Sequence, residues 1–123
     1  MNDTDPPVRP TIGIDVGPRS ILVRMQGDLD VATAPRLDRV LDDLIAEAAH
    51  RADHDVPSMT IDLEAVGLLS AAGMAVLLRA RGAADRSGVT CRVCVNGRAR
   101  RALALTGLDR VLLPVPLDHR PVV

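Results

Sequence analysis

The segment SMTIDLEAVGLLSAAGMAVLLRARGAADRSG, residues 58–88, changes its hydrophobic period at a single residue, Ser70. The residues before Ser70 are apolar and partly β-branched, which is typical of a central buried strand. From residue 71 to residue 86 the apolar side chains recur at helical spacing, and Gly88 follows as a C-terminal stop. The hydroxyl of Ser70 can accept a hydrogen bond from an amide of the first helical turn. This unit of strand, corner and helix predicts an α/β fold.

The segments before this unit predict a hairpin and another helix. Apolar residues alternate weakly over 11–17 and clearly over 20–30, with a Gly-Pro-Arg turn between them, which indicates two antiparallel strands. Within residues 31–50 the period becomes helical, with Thr33 as the expected N-cap and Pro35 in the first turn. The predicted apolar stripe of this helix consists of Leu37, Val40, Leu41, Leu44, Ile45 and Ala48.

The segments after this unit predict a strand, a third helix and a last strand. Residues 89–95, VTCRVCV, are rich in β-branched side chains, and Asn96 can cap a helix that ends at Gly107. Residues 108–116 carry prolines that suit an edge strand. The predicted order is β-β-α-β-α-β-α-β, which corresponds to an α/β fold with a mixed, mainly parallel sheet.

Length and composition indicate a single globular domain. Of the 123 residues, 47% are apolar and 25% are charged, which is the balance of a soluble chain with one core. We expect the domain to span residues 11–117. Residues 1–10 are expected to be a disordered leader because they contain three prolines and few apolar groups, and residues 118–123 form a tail.

Charge and residue types exclude several classes of function. With a net charge of −1 and no aromatic residue, the chain has neither a global attraction to nucleic acid nor a base-stacking platform. There is no lysine, so lysine-based catalysis is excluded. No apolar run reaches the roughly 18–20 residues of a membrane span, and residues 1–10 lack the order of a signal peptide. We therefore predict a cytoplasmic protein without nucleic-acid or membrane partners.

The cysteines and histidines do not form a recognisable reactive site. Cys91 and Cys94 form a C-x-x-C motif inside a predicted strand, where side chains three apart point to opposite faces, so we expect structural cysteines. His50, His54 and His119 lack metal-ligand spacing. There is also no nucleophile elbow and no pair of carboxylates beside a plausible pocket. The sequence predicts a protein without enzymatic activity, metal or cofactor.

Three segments, in this order, carry motifs that can be compared with known families. They are QGDLDVATAPRL (26–37), MTIDLEAVGLLSAAGMAVLLRA (59–80) and VCVNGRARRALALTGLDRVL (93–112). Together they resemble the STAS domain family, and specifically its single-domain anti-sigma factor antagonists. Those proteins typically carry G-[DE]-[LI]-D before the first helix, D-S-[ST]-G-[LM] at the corner and L-T-G-[LF] near the end. The resemblance covers about residues 11–115 and implies a sheet with helices on one side.

The resemblance also implies a partner and a switch. In the family, the last Ser or Thr of the corner is phosphorylated by a partner that is both an anti-sigma factor and a serine kinase. The unphosphorylated antagonist binds this partner and frees the sigma factor. In this chain Ser70 stands at the position of the family's Asp, and Ala71 and Ala72 replace its two hydroxyl residues. Ala72, at the phospho-acceptor position, has no oxygen to modify, so we expect partner binding without the usual switch.

The missing acceptor leaves three interpretations open. The protein is a permanently competent antagonist that is controlled by its abundance, or Ser70 is a relocated acceptor. In the third interpretation the chain is a scaffold or a small-ligand-binding module within a larger signalling assembly. Ser70 lies two residues from the usual acceptor, and on a helix this offset points a side chain in a different direction. The formation of a homodimer is also left open.

The resemblance places the partner-binding surface at the corner and at the acidic end of the second strand. Its predicted residues are Asp28, Asp30, Ser70, Ala71, Ala72, Gly73 and Met74. The two aspartates either contact the partner or bond to nearby amides in a turn. Met74 lies off the apolar face of its helix and is expected at the surface, with a place at the edge of the core as the alternative. The segment GRARR, Gly97–Arg101, suits either a phosphate at a helix start or a solvated basic face.

Overall fold

The computed structural model describes residues 10–50 and 57–113 of the chain. Four strands and four helices follow one another there: β1 (Thr11–Val16), β2 (Ser20–Leu29), α1 (Ala34–His50), β3 (Ser58–Leu69), α2 (Ala71–Arg86), β4 (Thr90–Val95), α3 (Gly97–Thr106) and α4 (Asp109–Leu112). The predicted leader, apart from Pro10, lies outside the described residues, and so does the predicted tail. His54 and His119 lie outside them as well.

The four strands form one sheet in the order β1-β2-β3-β4. β1 and β2 are antiparallel and joined by a short turn, whereas β2–β3 and β3–β4 are parallel because α1 and α2 carry the chain back across the sheet. Val23 of β2 pairs with Ile14 of β1 and with Ile61 of β3, and Ile61 pairs in turn with Val93 of β4. The prediction of an α/β fold with a mixed, mainly parallel sheet is confirmed.

One face of the sheet is covered by the helices and the other is open. Val23, Ile61 and Val93 on the covered face are at most 1% exposed, whereas Arg24 and Arg92, one residue away on their strands, are exposed. The helical residues packed into this core include Leu37, Leu41, Val76, Leu77, Leu103 and Leu112. The resemblance correctly implied helices on one side of the sheet.

The core contains no aromatic ring, because the chain has no Phe, Tyr or Trp. Its buried apolar side chains are Leu, Ile, Val, Ala and Met, together with Cys91. The predicted stripe of α1 contributes five fully buried members, while Val40 is half-buried at the edge. A core of this kind is filled by aliphatic packing alone.

Helix limits agree with the sequence wherever a cap marks them. α2 spans residues 71–86 as predicted, and Gly88 follows it with φ +72°. α3 begins after Asn96, whose side-chain oxygen accepts a hydrogen bond from the amide of Ala99 at 2.8 Å. It ends at Gly107, where φ is +78°, a left-handed conformation that favours glycine. Each of these helix boundaries is set by residues that are close to it in the sequence.

The prediction of a last strand over residues 108–116 is wrong for residues 108–113, which are the ones that the structure describes. Asp109–Leu112 form the short helix α4, and the side chain of Leu112 is 1% exposed in the core. The amide of Leu112 donates to the carbonyl of Leu108 at 2.9 Å, so these two leucines, four residues apart, form a helical turn. Residues 114–116 lie outside the described residues, and the described order is β-β-α-β-α-β-α-α.

Candidate functional site

Ser70 forms the corner between the end of β3 and the start of α2. Its backbone is extended (φ −89°, ψ 173°), and its hydroxyl oxygen accepts a hydrogen bond from the amide of Gly73 at 3.4 Å. The amide of Ser70 donates to the carbonyl of Leu29 at 2.9 Å, and its own carbonyl accepts from the amide of Met74 at 3.0 Å. The predicted N-cap is confirmed. Ser70 also joins the start of α2 to the end of β2.

The small residues after Ser70 have two different roles. Gly73 is buried so tightly that an added Cβ would lie 2.6 Å from Cγ of Leu29 and 3.0 Å from Cδ1 of Leu69. Only glycine lets the first turn of α2 approach the end of the sheet this closely. Ala71 is exposed and Ala72 is half-buried, so the outer side of the same turn carries only methyl groups. The inner side of the first turn of α2 therefore packs tightly against the end of the sheet, whereas its outer side is accessible.

Asp30 organises the turn that leads from β2 into α1. Its carboxylate accepts hydrogen bonds from the amides of Ala32 and Thr33 at 3.0 and 3.1 Å, and its carbonyl accepts from the amide of Ala34 at 2.8 Å. Thr33 was the expected N-cap, but its hydroxyl donates to the carbonyl of Asp28 at 2.8 Å and accepts from the amide of Asp30 at 3.0 Å. The Thr33 hydroxyl therefore belongs to the turn that Asp30 organises, and the amide of Arg36 donates to the carbonyl of Thr33 at 3.2 Å instead of to its side chain.

Asp28 lies beside the corner with its side chain exposed. Its Oδ1 atom is close to Gly67, where an added Cβ would approach it to 3.0 Å. Asp28 and Asp30 flank Leu29, whose carbonyl accepts the amide of Ser70, so the fold brings the predicted acidic residues to the predicted corner. Asp30 is engaged by its own turn, which leaves Asp28 as the more available carboxylate.

Met74 is not exposed, contrary to the expectation from the helical spacing. It is 8% exposed, and its sulfur lies 3.9 Å from the hydroxyl of Thr106 at the end of α3. The alternative, a place at the edge of the core, is the one observed, and the contact with Thr106 belongs to another element, which the spacing within α2 cannot show. The Met74 side chain therefore packs on the buried side of the corner and does not form its outer surface.

Three exposed apolar side chains lie on the segments that lead to the corner or contact it, and the sequence alone did not single them out. Val31 is 78% exposed, Leu68 is 51% exposed and Leu105 is 84% exposed. Leu68 lies two residues before Ser70, and Leu105 precedes Thr106, which contacts Met74. Val31 lines a groove between α1 and α2, whose other lining residues are Ala34, Pro35, Asp38, Ala72, Ala75, Val76 and Arg79. Burial of apolar surface is expected when a partner covers such a patch.

Hydrogen bonds join the start of α3 to the end of β3 that leads into the Ser70 corner. The side-chain amide of Asn96 donates to the carbonyls of Glu64 and Val66 at 3.0 and 2.8 Å. The guanidinium of Arg98 donates to the carbonyl of Gly67 at 3.3 Å. α3 therefore runs beside the corner, from the end of β3 to the first turn of α2.

The titratable groups of the described residues do not assemble into a reactive centre. No group of three or more His, Cys, Asp or Glu side chains in residues 10–50 and 57–113 could hold a metal ion. Cys91 is buried, and this burial raises the pKa of its thiol to about 11, while Cys94 is half-buried further along β4. No helix in the described part of the chain is long and apolar enough to cross a membrane.

Comparisons with known proteins show which family and which solved structures the chain resembles. The STAS domain family model matches residues 11–120. The chain is similar to an anti-sigma factor antagonist from Mycobacterium paratuberculosis, with 27% identity, a TM-score of 0.72, and coverage of 89% of each chain. No curated protein matches the sequence.

Two more distant solved structures share the fold. SpoIIAA in its unphosphorylated form, described as an anti-sigma factor antagonist, has 14% identity and a TM-score of 0.65, over 88% of this chain and 90% of that one. The phosphorylated form of SpoIIAA, a Bacillus cell fate determinant, has 14% identity and a TM-score of 0.60, over 88% of this chain and 94% of that one.

Proposed function

Because the chain belongs to the STAS domain family, we propose that it is an anti-sigma factor antagonist that binds an anti-sigma factor with a serine-kinase fold. Binding through the Ser70 corner would regulate sigma-factor-dependent transcription by releasing the sigma factor. The observation that carries the proposal is the first turn of α2, with Ala71 exposed and Ala72 half-buried, together with exposed Val31, which lines the same groove as Ala72, and exposed Leu68. Apolar side chains around a small-residue centre suit a protein surface.

The protein acts, in this proposal, without a phosphorylation switch. Ala72 has no hydroxyl at the family's acceptor position. The Ser70 hydroxyl, the nearest candidate along the chain, is the N-cap of α2 and accepts from the amide of Gly73. We therefore infer a permanently competent antagonist that is controlled by its abundance. It works by binding alone, in the cytoplasm, and requires neither metal nor cofactor.

Calorimetry with separately produced partners tests the proposal. The kinase-fold anti-sigma factors encoded in the same genome are purified one by one and titrated with this protein. We expect one of them to bind with one copy of the antagonist per subunit and to release its sigma factor. The complex is then incubated with ATP, and no phosphate should be transferred to the antagonist. The failure of every such protein to bind would contradict the proposal.

A small-ligand-binding module is the second candidate, and one observation favours it. The groove between α1 and α2 has a volume of about 360 Å³, and its lining is largely apolar. The ion pair between Asp38 and Arg79, at 3.4 Å, lies among its polar lining. Thermal stabilisation by a small apolar molecule that is lost in Ala75→Leu, which fills the groove, would support this function. The scaffold role and the homodimer stay predictions, and light scattering of the purified chain tests the homodimer.

A further inference from the structure

α3 carries a strong local positive charge. Its sequence, GRARRALALT, contains three arginines and no carboxylate. Ala99 and Leu103 are buried, which fixes the inner side of the helix. With about 100° of rotation per residue, Arg98, Arg101 and Leu105 share one outer side, and Arg100 lies on another. We call Arg98, Arg101 and Leu105 the α3 stripe.

The arginines of α3 form no ion pair with a carboxylate of the described residues. Within residues 10–50 and 57–113, ion pairs join Arg24, Arg79 and Arg81 to aspartates, but none involves an arginine of α3. Arg98 donates only to the carbonyl of Gly67, and Asp28, which also lies beside Gly67, forms no ion pair with it. The three guanidinium groups occupy the first half of α3, where the helix dipole disfavours positive charge. No ion pair within the described residues compensates this arrangement.

Apolar surface accompanies this charge. Leu105, on the α3 stripe, is 84% exposed, and Leu68, which follows Gly67 on β3, is 51% exposed. The stripe begins close to the Ser70 corner, because Arg98 donates to the carbonyl of Gly67, three residues before Ser70. A basic and apolar surface beside the proposed binding corner has the composition of an interface rim.

We propose that the α3 stripe and Leu68 dock an acidic segment of the protein that binds the Ser70 corner, with carboxylates on Arg98 and Arg101 and an apolar side chain against Leu105. The identity of the partner rests on the proposed function. A guanidinium forms a planar fork that matches a carboxylate, and the two arginines are about one helical turn apart. Two carboxylates of the partner at the same spacing, with an apolar residue about one helical turn beyond the carboxylate that meets Arg101, complete the match.

A protein fits this surface better than a nucleic acid does. The net charge of the chain is −1 and it has no aromatic residue, so a polyanion would find neither a global attraction nor a stacking platform. Leu105, at 84% exposure, would remain uncovered against a phosphate backbone. The charge acts locally, where it orients an approaching partner and raises the association rate.

The test uses the full chain and a defined probe. The probe is a helical peptide with glutamate and leucine along one face, and a second peptide carries lysine in place of glutamate. In nuclear magnetic resonance titrations we expect the first peptide to shift the Arg98 and Arg101 guanidinium signals and the Leu105 methyl signals. The second peptide should shift none of them. Raising salt from about 0.05 M to about 0.5 M should weaken binding severalfold, because exposed charges are then screened.

A matched set of variants locates the contact. The double variant Arg98→Ala/Arg101→Ala should lose about tenfold in affinity for the acidic peptide, whereas Arg100→Ala, on the other side of the same helix, should change it less than about twofold. Equal losses in both variants would show a diffuse charge effect and overturn the proposal. Binding of a short DNA duplex or of anionic lipid vesicles at the same residues, more tightly than the peptide, would also overturn it.

Binding of the anti-sigma factor separates this inference from the proposed function. If Ala72→Glu abolishes binding and the arginine double variant does not weaken it, the corner is the interface and the α3 inference fails. If no anti-sigma factor binds but the acidic peptide still occupies the α3 stripe, the proposed partner is wrong and the acidic docking surface stands. Loss of anti-sigma factor binding in both variants supports both proposals.

Discussion

Gly73 and Leu29 approach each other so closely that an added Cβ on the glycine would lie 2.6 Å from Cγ of the leucine. This contact seats the first turn of α2 on the end of β2. The hydrogen bond from the amide of Ser70 to the carbonyl of Leu29, at 2.9 Å, fixes the same junction through the backbone. The position of the proposed interface thus depends on a residue that has no side chain.

Gly73→Ala should therefore destabilise the protein even though alanine is the better helix former. We expect a loss of about 1–2 kcal/mol in the free energy of unfolding, because overpacking outweighs the gain in helix propensity. Gly82→Ala is the matched control in the same helix, since its added Cβ would meet only the mobile end of Arg86 at 3.2 Å. That variant should be neutral or up to about 1 kcal/mol more stable. Urea denaturation followed by far-ultraviolet circular dichroism measures the free energy of unfolding of both variants. Equal changes in the two variants would show that the contact between Gly73 and Leu29 does not limit packing.

Substitutions at Ser70 distinguish a helix cap from a phosphorylation site. Ser70→Ala should cost about 1 kcal/mol of stability because the amide of Gly73 loses its acceptor. Ser70→Asp should preserve both stability and partner binding, since aspartate caps as well as serine does. If Ser70 were the acceptor, Ser70→Asp would imitate the phosphorylated state and release the partner. Mapping of phosphate to Ser70 after incubation with the partner and ATP would contradict our prediction.

A negative charge at position 72 should imitate phosphorylation without unfolding the chain. In Ala72→Glu the added carboxylate lies at the N-terminal end of α2, where it changes stability by no more than about 1 kcal/mol. Affinity for the anti-sigma factor should fall by about a hundredfold or more, because an unpaired charge would be desolvated in the interface. Thr90→Glu, an exposed position at the start of β4, adds the same charge elsewhere and should leave the affinity unchanged. Calorimetry would refute the placement of the interface if Ala72→Glu bound as tightly as the parent.

The two aspartates of the β2 end should separate into a structural residue and a contact residue. Asp30→Ala removes the acceptor of the Ala32 and Thr33 amides and should cost about 1–2 kcal/mol of stability. Asp28→Ala should change stability by less than about 0.5 kcal/mol, since the side chain is exposed. It should nevertheless weaken partner binding by about fivefold. The assignment fails if thermal unfolding shows the larger loss for Asp28→Ala.

Stability should decrease in alkaline solution because of Cys91. Burial raises the pKa of this thiol from 9.0 to about 11, so the folded state holds its proton in a range where the unfolded state releases it. The free energy of unfolding should therefore be unaffected below pH 9 and should fall as the pH rises from 9 to 11. The chain contains no lysine and no tyrosine, which would otherwise titrate in the same range. Cys91→Ala should remove this slope and Cys94→Ala should keep it, and a slope that survives Cys91→Ala would exclude our explanation.

Local signals allowed much of the fold to be predicted, and contacts between distant segments account for the errors. The change of period at Ser70 and the caps at Ser70 and Asn96 depend on neighbouring residues, so β3, α2 and α3 were located correctly. The burial of Met74 depends on Thr106, which is 32 residues away. The helix at Asp109–Leu112 depends on the docking of Leu112 into the core, whereas its apolar composition alone suits a strand equally well.

The candidate site was likewise predicted from local signals in part, and the rest depends on contacts between distant segments. The corner and the acidic strand end are each formed by residues that are consecutive in the sequence, so motifs predicted both. The exposure of Val31, Leu68 and Leu105 depends on which surfaces the helices leave uncovered, and no periodicity within their own segments reports it. The need for glycine at position 73 likewise arises from Leu29, which belongs to another element.

A core without aromatic rings makes the chain nearly silent in the near ultraviolet, since it contains no Trp, Tyr or Phe to absorb or fluoresce. Any tryptophan emission from a mixture with a partner therefore comes from the partner alone, and a change in it reports the complex directly. A single tryptophan placed at Leu105 would be the only intrinsic fluorophore of this chain. The same property means that routine absorbance readings will miss this protein, and its concentration must be determined from the peptide bond instead.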